Sequence, residues 1–407
     1  MWCASAEPRH GFQDTLRILL VLIEPPLPFG NAAARWYYVL LRGLVARGHD
    51  VTAFATCSNP HDIPMASTLF PSPQYDLRCF PVVSGTGILK KCQSFLRPMS
   101  YLFAEDFRRE LATELDRGYD ILHLEQLWSM WVRPSDSTRT VVNVQYLFDI
   151  DTFGAAPRSV RDRVLQRAIL GAERRLVRLS PNLSAFSQRL SDRLGEMNPT
   201  STRYVVPLGI DLTLYPFAAF RAHEPPTVGL IGSFSWGPTR AAGERLVCRL
   251  WPAVKKRVPT ARLLLVGRQA REQLGRFAAE DVTIVADVPD ALPYFSQLDV
   301  LVYAPPVGSG MKVKILEAFA LGTSVVTNKE GVEGIPAHDD VHAAIAESDA
   351  DLIDRVVALL TDEARRRRYR DEARALVELH CASPISLDRV ERLYGSLRAG
   401  GSQTDRP

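Results

Sequence analysis

Three stretches near the start decide the fold: Arg17–Ile23 (RILLVLI), Ala32–Arg47 (AAARWYYVLLRGLVAR) and Val51–Thr56 (VTAFAT). The outer two are apolar runs of strand length; the middle one is helical in spacing and is stopped by Gly48-His49. Strand, helix and strand in that order form a β-α-β unit, whose parallel strands are buried on both faces. Further strands are predicted at Ile121–Leu124, Thr140–Val144, Ser184–Ser187 and Tyr204–Val206, with helices around Ala104–Asp116 and Arg158–Arg178. A second series opens at Thr227–Ile231 and continues through Arg262–Val266, Val282–Val285, Val300–Tyr303 and Ser324–Thr327. Helices at Asp349–Leu360, Asp362–Leu379 and Ile385–Leu397 complete the chain.

The expected architecture is α/β: two tandem Rossmann-like doubly wound domains facing a cleft. Val206-Pro207-Leu208-Gly209-Ile210-Asp211 reads as the linker, which puts the first domain at 1–207 and the second at 208–384. Residues 385–398 form a last helix returning to the first domain, and 399–407 a disordered tail. Ligands of open parallel sheets bind beyond the carboxyl ends of the strands, so the interdomain cleft is the place to search. No G-x-G-x-x-G follows either opening strand, which removes the fingerprint of a dinucleotide oxidoreductase.

With 407 residues, 46% hydrophobic and 23% charged, the chain has the composition of a globular protein. Six scattered cysteines without a C-x-x-C pair suggest neither a disulfide framework nor a zinc site, and hence a reducing compartment. The first apolar run, Ile18–Ile23, is too short for a signal peptide core or a membrane span, so a cytoplasmic protein is expected. Lys and Arg outnumber Asp and Glu by 24 to 20 through Pro207 and are outnumbered 25 to 26 beyond it. Seven arginines fall in Arg158–Arg178, interleaved with Val160, Val164, Leu165 and Ile169. That pattern is either a solvated helix face or a surface for an anionic partner, and with Lys90, Lys91 and Arg97 it suggests peripheral contact with the inner face of a membrane. No nucleic-acid motif accompanies it.

The chemistry concentrates in Pro305–Gly322 (PPVGSGMKVKILEAFALG), a strand end, a glycine-rich turn and a helix. Glycines let backbone N–H groups approach an anion at a helix N-terminus, and Lys312 and Lys314 place two cations where the helix dipole disfavours them. A phosphate accounts for that conflict; two lysines facing solvent are the other reading. Glu317 lies one turn further in an apolar helix and needs partners; ribose hydroxyls or an internal ion pair, for example with Lys314, would serve. Among the aromatic residues, Trp36-Tyr37-Tyr38 reads as core packing, whereas Trp128 and Trp131 fit either packing or a sugar platform.

The run Gly308–Ala318, followed by Leu321–Asn328 and Gly331–Ile335, resembles the donor-binding core of GT-B glycosyltransferases, in particular the large retaining glycosyltransferase family 4. Val206–Asp211 is similar to the family's V-P-N-G-V-D linker, with Leu208 for Asn. Leu265–Arg268, Asp287–Pro289 and Asp299–Pro305 fall in the family's order, so that the likeness spans about residues 16–398. It implies that Glu317, the second glutamate of the family's E-x(7)-E, binds the ribose of an activated sugar. Gly308, Gly310, Met311, Lys312 and Lys314 would then contact donor sugar and diphosphate. Gly30, in the loop that feeds the first helix, either lets backbone approach the transferred group or belongs to a simple turn with Asn31 as N-cap. The sequence also departs from the family. Ser309 replaces the first glutamate, and Ser233 and Pro238 replace the arginine and lysine of the diphosphate clamp, leaving Lys312, Lys314 or Arg240 to neutralise it. Gln145 stands where the family usually places a histidine facing the donor sugar, and Gln cannot titrate. At the carboxyl end of another strand of the first domain, His123 or Glu125 would face the cleft; a buried, satisfied histidine is the other reading.

The implied function is transfer of a sugar from a nucleoside diphosphate sugar to a hydroxyl acceptor, with retention and without a metal ion. His123, Gln145 and Ser309 are the candidate catalytic residues. A GT-B sugar-nucleotide epimerase or hydrolase, or a non-catalytic nucleotide-sugar binder, are the alternatives. Sugar, base, acceptor and oligomeric state are not written in the sequence.

Overall fold

The strand β1 (Arg17–Leu22) is buried from Ile18 onward, because it lies in the middle of a parallel sheet covered on both faces. The computed structural model of the chain describes residues 14–82, 96–152, 159–217, 219–288 and 290–401. The expectations placed on residues 1–13, Lys90, Lys91, Arg158, Pro289 and 402–407 fall outside them.

The first sheet also holds β2 (Asp50–Cys57), β3 (Asp76–Pro81), β4 (Ile121–Glu125), β5 (Thr140–Val144), β6 (Asn182–Ala185) and β7 (Thr202–Val205). Its order is β3-β2-β1-β4-β5-β6-β7, and every pairing is parallel. The second comprises β8 (Thr227–Ile231), β9 (Arg262–Gly267), β10 (Val282–Ala286), β11 (Val300–Tyr303), β12 (Ser324–Thr327) and β13 (Ala344–Ile345), in the order β10-β9-β8-β11-β12-β13. In both, the order reverses beside the first strand, which opens a crevice at the carboxyl ends.

Most predicted strands fall within one or two residues of those observed. β6 ends early because Ser187 is a helix cap: its hydroxyl accepts from the Leu190 amide at 3.1 Å and starts the helix Gln188–Met197. β3 is not among the strands expected from sequence; its residues DLRCFP alternate poorly and sit half-exposed at the sheet edge.

The linker is packed. Val206, Leu208 and Ile210 are buried, and Ile210 pairs in parallel with Ala382, where the chain crosses back: Ile210 N–H donates to the Cys381 carbonyl and Ser383 N–H to that of Ile210, each at 2.9 Å. A Cβ on Gly209 would come within 2.6 Å of Ser386 Oγ, so the two crossings touch only because that position is glycine.

After the return crossing, the helix Ser383–Gly401 packs on the helix Ala32–Ala46 beneath the first sheet. It runs through Ala399–Gly401, residues the sequence assigns to the tail. Glu391 is its anchor, accepting from Arg47 and facing His49 Nε2 at 3.0 Å. Among the described residues no helix is long and apolar enough to cross a membrane.

Substitution Glu391→Ala strips Arg47 and His49 of their shared carboxylate and is expected to cost about 2 kcal/mol. Asp388→Ala, which removes an exposed partner of Arg47, is expected to stay within about 0.5 kcal/mol. Urea denaturation of both variants checks the difference.

Candidate functional site at the carboxyl ends of the two sheets

Beyond β11, Pro305 and Pro306 end the strand and Asn328 fixes the departing chain by donating to the Pro305 carbonyl at 2.7 Å. The turn then runs across to the first sheet. Gly310 has φ +72°, and a Cβ there would lie 2.1 Å from the carbonyl oxygen of Gln145. Ser309 Oγ donates to Asp151 at 2.8 Å and accepts from the Leu147 amide at 3.0 Å. Ser309 N–H and Gly310 N–H are taken by Asp151 and Glu333, and Gly308 N–H by Glu330. Ser309 therefore ties the turn to the first sheet.

Lys312 caps the helix Val313–Leu321; its ammonium donates to the carbonyls of Ser309 and Gly310 and lies 4.0 Å from Glu333. Burial pulls its pKa down. Lys314 Nζ donates to Thr239 Oγ1 at 2.8 Å and stands 4.0 Å from the centre of the Tyr303 ring. Burial first, and the charge of Lys312 second, push it down to about 7. Gly232 makes room for it, since a Cβ there would meet Lys314 Cε at 2.9 Å. One turn on, the Glu317 carboxylate is buried, accepts from the Tyr215 hydroxyl at 3.1 Å and forms an ion pair with Arg35. The internal ion pair is thus made with Arg35 of the first sheet's helix, and Lys314 goes to Thr239.

On the facing side, Gln145 follows β5 and Glu125 ends β4. Glu125 accepts from Trp36 Nε1 at 2.8 Å, Asn143 Nδ2 at 2.9 Å and Gln145 Nε2 at 2.8 Å. Burial outweighs these three donors and raises its pKa to about 7. Gln145 in turn accepts from Gln126 Nε2 at 2.7 Å. His123 does not reach the cleft, contrary to one sequence alternative. It lies two residues inside β4, its Nδ1 is 2.6 Å from the Tyr394 hydroxyl of the last helix, and burial lowers it to about 3. It is a neutral packing histidine.

The other candidates lie around this junction. Gly30 (φ +92°) is exposed in the loop after β1, where Asn31 caps the helix by accepting from Ala34 at 2.9 Å. Ser233 is bonded to Ser235, Arg240 is half-buried on the helix Gly237–Arg245, and Met311 Sδ accepts from the linker amide of Leu208. Trp128 is buried and Trp131 donates to the Pro98 carbonyl, so this pair packs. Arg35, Asp151, Tyr215 and Glu333 belong to the junction and were not singled out from sequence; only Glu333, inside Gly331–Ile335, stood in a recognised pattern. Among the described residues no three His, Cys, Asp or Glu side chains cluster as metal ligands.

Two parallel sheets whose carboxyl ends meet over a cationic turn define a GT-B type of enzyme. Residues 33–214 match the family described as Glycosyltransferase Family 4 and residues 225–362 that described as Glycosyl transferases group 1. With each half matched, the chain belongs to the group 1, family 4 glycosyltransferases. No curated protein matches it. Among solved structures it is similar to a sucrose-phosphate synthase from Thermosynechococcus elongatus, at 21% identity and TM-score 0.71 over 94% of this chain and 99% of that one. It is similar to HepE from Anabaena in complex with UDP and glucose, at 14% and 0.65 over 93% and 100%. It is also similar to WaaG, a glycosyltransferase involved in lipopolysaccharide biosynthesis, at 14% and 0.64 over 93% and 99%.

Gly310→Ala forces a side chain into both a left-handed backbone and the Gln145 carbonyl, and is expected to destabilise by about 2–3 kcal/mol. Gly30→Ala meets the same backbone penalty in open space and is expected to cost about 1 kcal/mol. Thermal denaturation of the two variants tests the contrast.

Proposed function

We propose that the enzyme transfers a sugar from a nucleoside diphosphate sugar to a hydroxyl acceptor with retention of configuration. The observation that carries this reading is the buried Glu317 carboxylate one turn beyond Lys312 and Lys314, at the carboxyl end of β11 and opposite the Gln145 end of β5. A carboxylate so placed accepts hydrogen bonds from ribose hydroxyls. Lys314 and Lys312, drawn from Thr239 and from the Ser309 and Gly310 carbonyls by the stronger charge of a diphosphate, neutralise the charge that develops as the sugar leaves it. Gln145, held by Glu125 and Gln126, is placed to orient a sugar hydroxyl. The side-chain partners of Gln145 among the described residues are Glu125, Gln126 and Tyr37, and in this reading the leaving phosphate oxygen takes the acceptor proton as the new glycosidic bond forms on the same face. The solved structure of HepE with UDP and glucose supports a nucleotide sugar as donor. WaaG's part in lipopolysaccharide biosynthesis supports a glycan or glycolipid acceptor.

A membrane-borne acceptor is favoured by the arginine helix, observed at Val160–Arg178: Val160, Val164 and Leu165 are exposed beside Arg161, Arg163 and Arg167. Salt-sensitive flotation with anionic liposomes is the expected result. Flotation absent at low salt counts against it.

A thermal-shift screen of UDP, GDP and ADP tests the donor site. One of them is expected to raise the melting temperature by several degrees at saturation, and Glu317→Gln or Lys312→Ala/Lys314→Ala to lose most of that shift. Lys314 adds a pH signature. At pH 8 its ammonium, held at about 7, is mostly deprotonated; a bound diphosphate favours the charged form, so binding takes up protons. Below pH 6 the uptake disappears because the lysine is already charged. Calorimetry in two buffers of different ionisation enthalpy measures it, and Lys314→Met is expected to abolish it.

A further inference from the structure

Arg35 sits in the first turn of the helix Ala32–Ala46, just past the loop that follows β1. Its side chain is only 10% exposed, and Nη1 forms the ion pair with Glu317 that joins the first sheet's helix to the second sheet's. Tyr215 donates to the same carboxylate. Arg35 Nε is buried and has no hydrogen-bond partner among the described residues. A guanidinium offers five donors in a planar fork, and leaving one buried and unspent is costly unless a ligand takes it up.

The turn itself is short of free cations. Lys312 is spent on two carbonyls, Lys314 on Thr239 and the Tyr303 ring, and Ser233 and Pro238 stand where a diphosphate clamp would carry charge. Any ribose that takes the Glu317 carboxylate takes it from Arg35, leaving the fork without its counter-charge one helical turn from Lys314.

We propose that Arg35 is a donor-binding residue, an inference that rests on reading Glu317 as the ribose ligand: as ribose hydroxyls take Glu317, the Arg35 fork passes to the diphosphate. The exchange keeps both buried charges paired throughout. It also replaces a direct bond between the two sheets by one that runs through the ligand, so that the first sheet contributes to donor affinity as well as to the acceptor side.

Titrations of UDP, UMP and uridine, with the GDP and ADP series alongside, separate the phosphate contact from the ribose contact. Arg35→Ala is expected to weaken the diphosphate about tenfold or more while the nucleoside binds unchanged or more tightly, because Glu317 is released. Arg35→Lys is expected to recover part of the loss. To guard against misfolding around an unpaired Glu317, Glu317→Gln is compared with Glu317→Gln/Arg35→Met; a further loss specific to the diphosphate supports the contact. Diphosphate binding to Arg35→Ala as tight as to the wild type, or tighter, overturns it and makes Arg35 a brake on Glu317 alone. If the wild type binds diphosphate and Glu317→Gln loses it while the Arg35 variants do not, only this inference falls. If the wild type binds none of the three diphosphates, the donor site falls and Arg35 with it.

Discussion

Everything at the cleft depends on one close approach: the Cα of Gly310 against the carbonyl of Gln145. Only a residue without a side chain permits it, and it brings the glycine-rich turn of the second sheet onto the carboxyl end of β5. Once there, Ser309 finds Asp151 and the Leu147 amide, and Glu333 collects Gly310 N–H and the Ser187 hydroxyl. The junction is polar and buried, so each group must find a partner across it. This is why a turn that the family resemblance assigns to the ligand also holds the two sheets in register.

Burial also sorts the ionisable groups into roles. Glu125 is raised to about 7 and Lys314 lowered to about 7 by the same cause acting on opposite charges. Each is therefore poised near neutrality, one on each side of the cleft. Deeper in the fold, burial holds His123 neutral between the Tyr394 hydroxyl of the last helix, 2.6 Å from Nδ1, and Glu125, 3.4 Å from Nε2. Depth below the strand ends, together with the sign of each charge, sets where these groups titrate.

Much of the architecture was legible because buried parallel strands are continuous apolar runs, such as Leu19–Leu22 or Val300–Tyr303, and need no partner to be recognised. β3 was not, since an edge strand with one face in water carries charges and a proline. The donor helix was legible through Lys312, Lys314 and Glu317, which violate local preference and so advertise a tertiary reason. Arg35 gave no such sign: an arginine in an amphipathic helix is ordinary, and only the folded chain shows that it points at Glu317. His123 misled for the opposite reason, because a histidine near a strand end is conspicuous in sequence whatever lies above it.

The paired crossings at Ile210 and Ala382 set how the two halves can move. A single strand between domains is a universal joint, free to bend and to twist. Two segments hydrogen-bonded side by side act instead like the two leaves of a strap hinge, yielding to rotation about one line and resisting torsion about the other. Twisting one half against the other would therefore have to break the bonds that join Ile210 to Cys381 and Ser383, whereas bending along the strap leaves them intact.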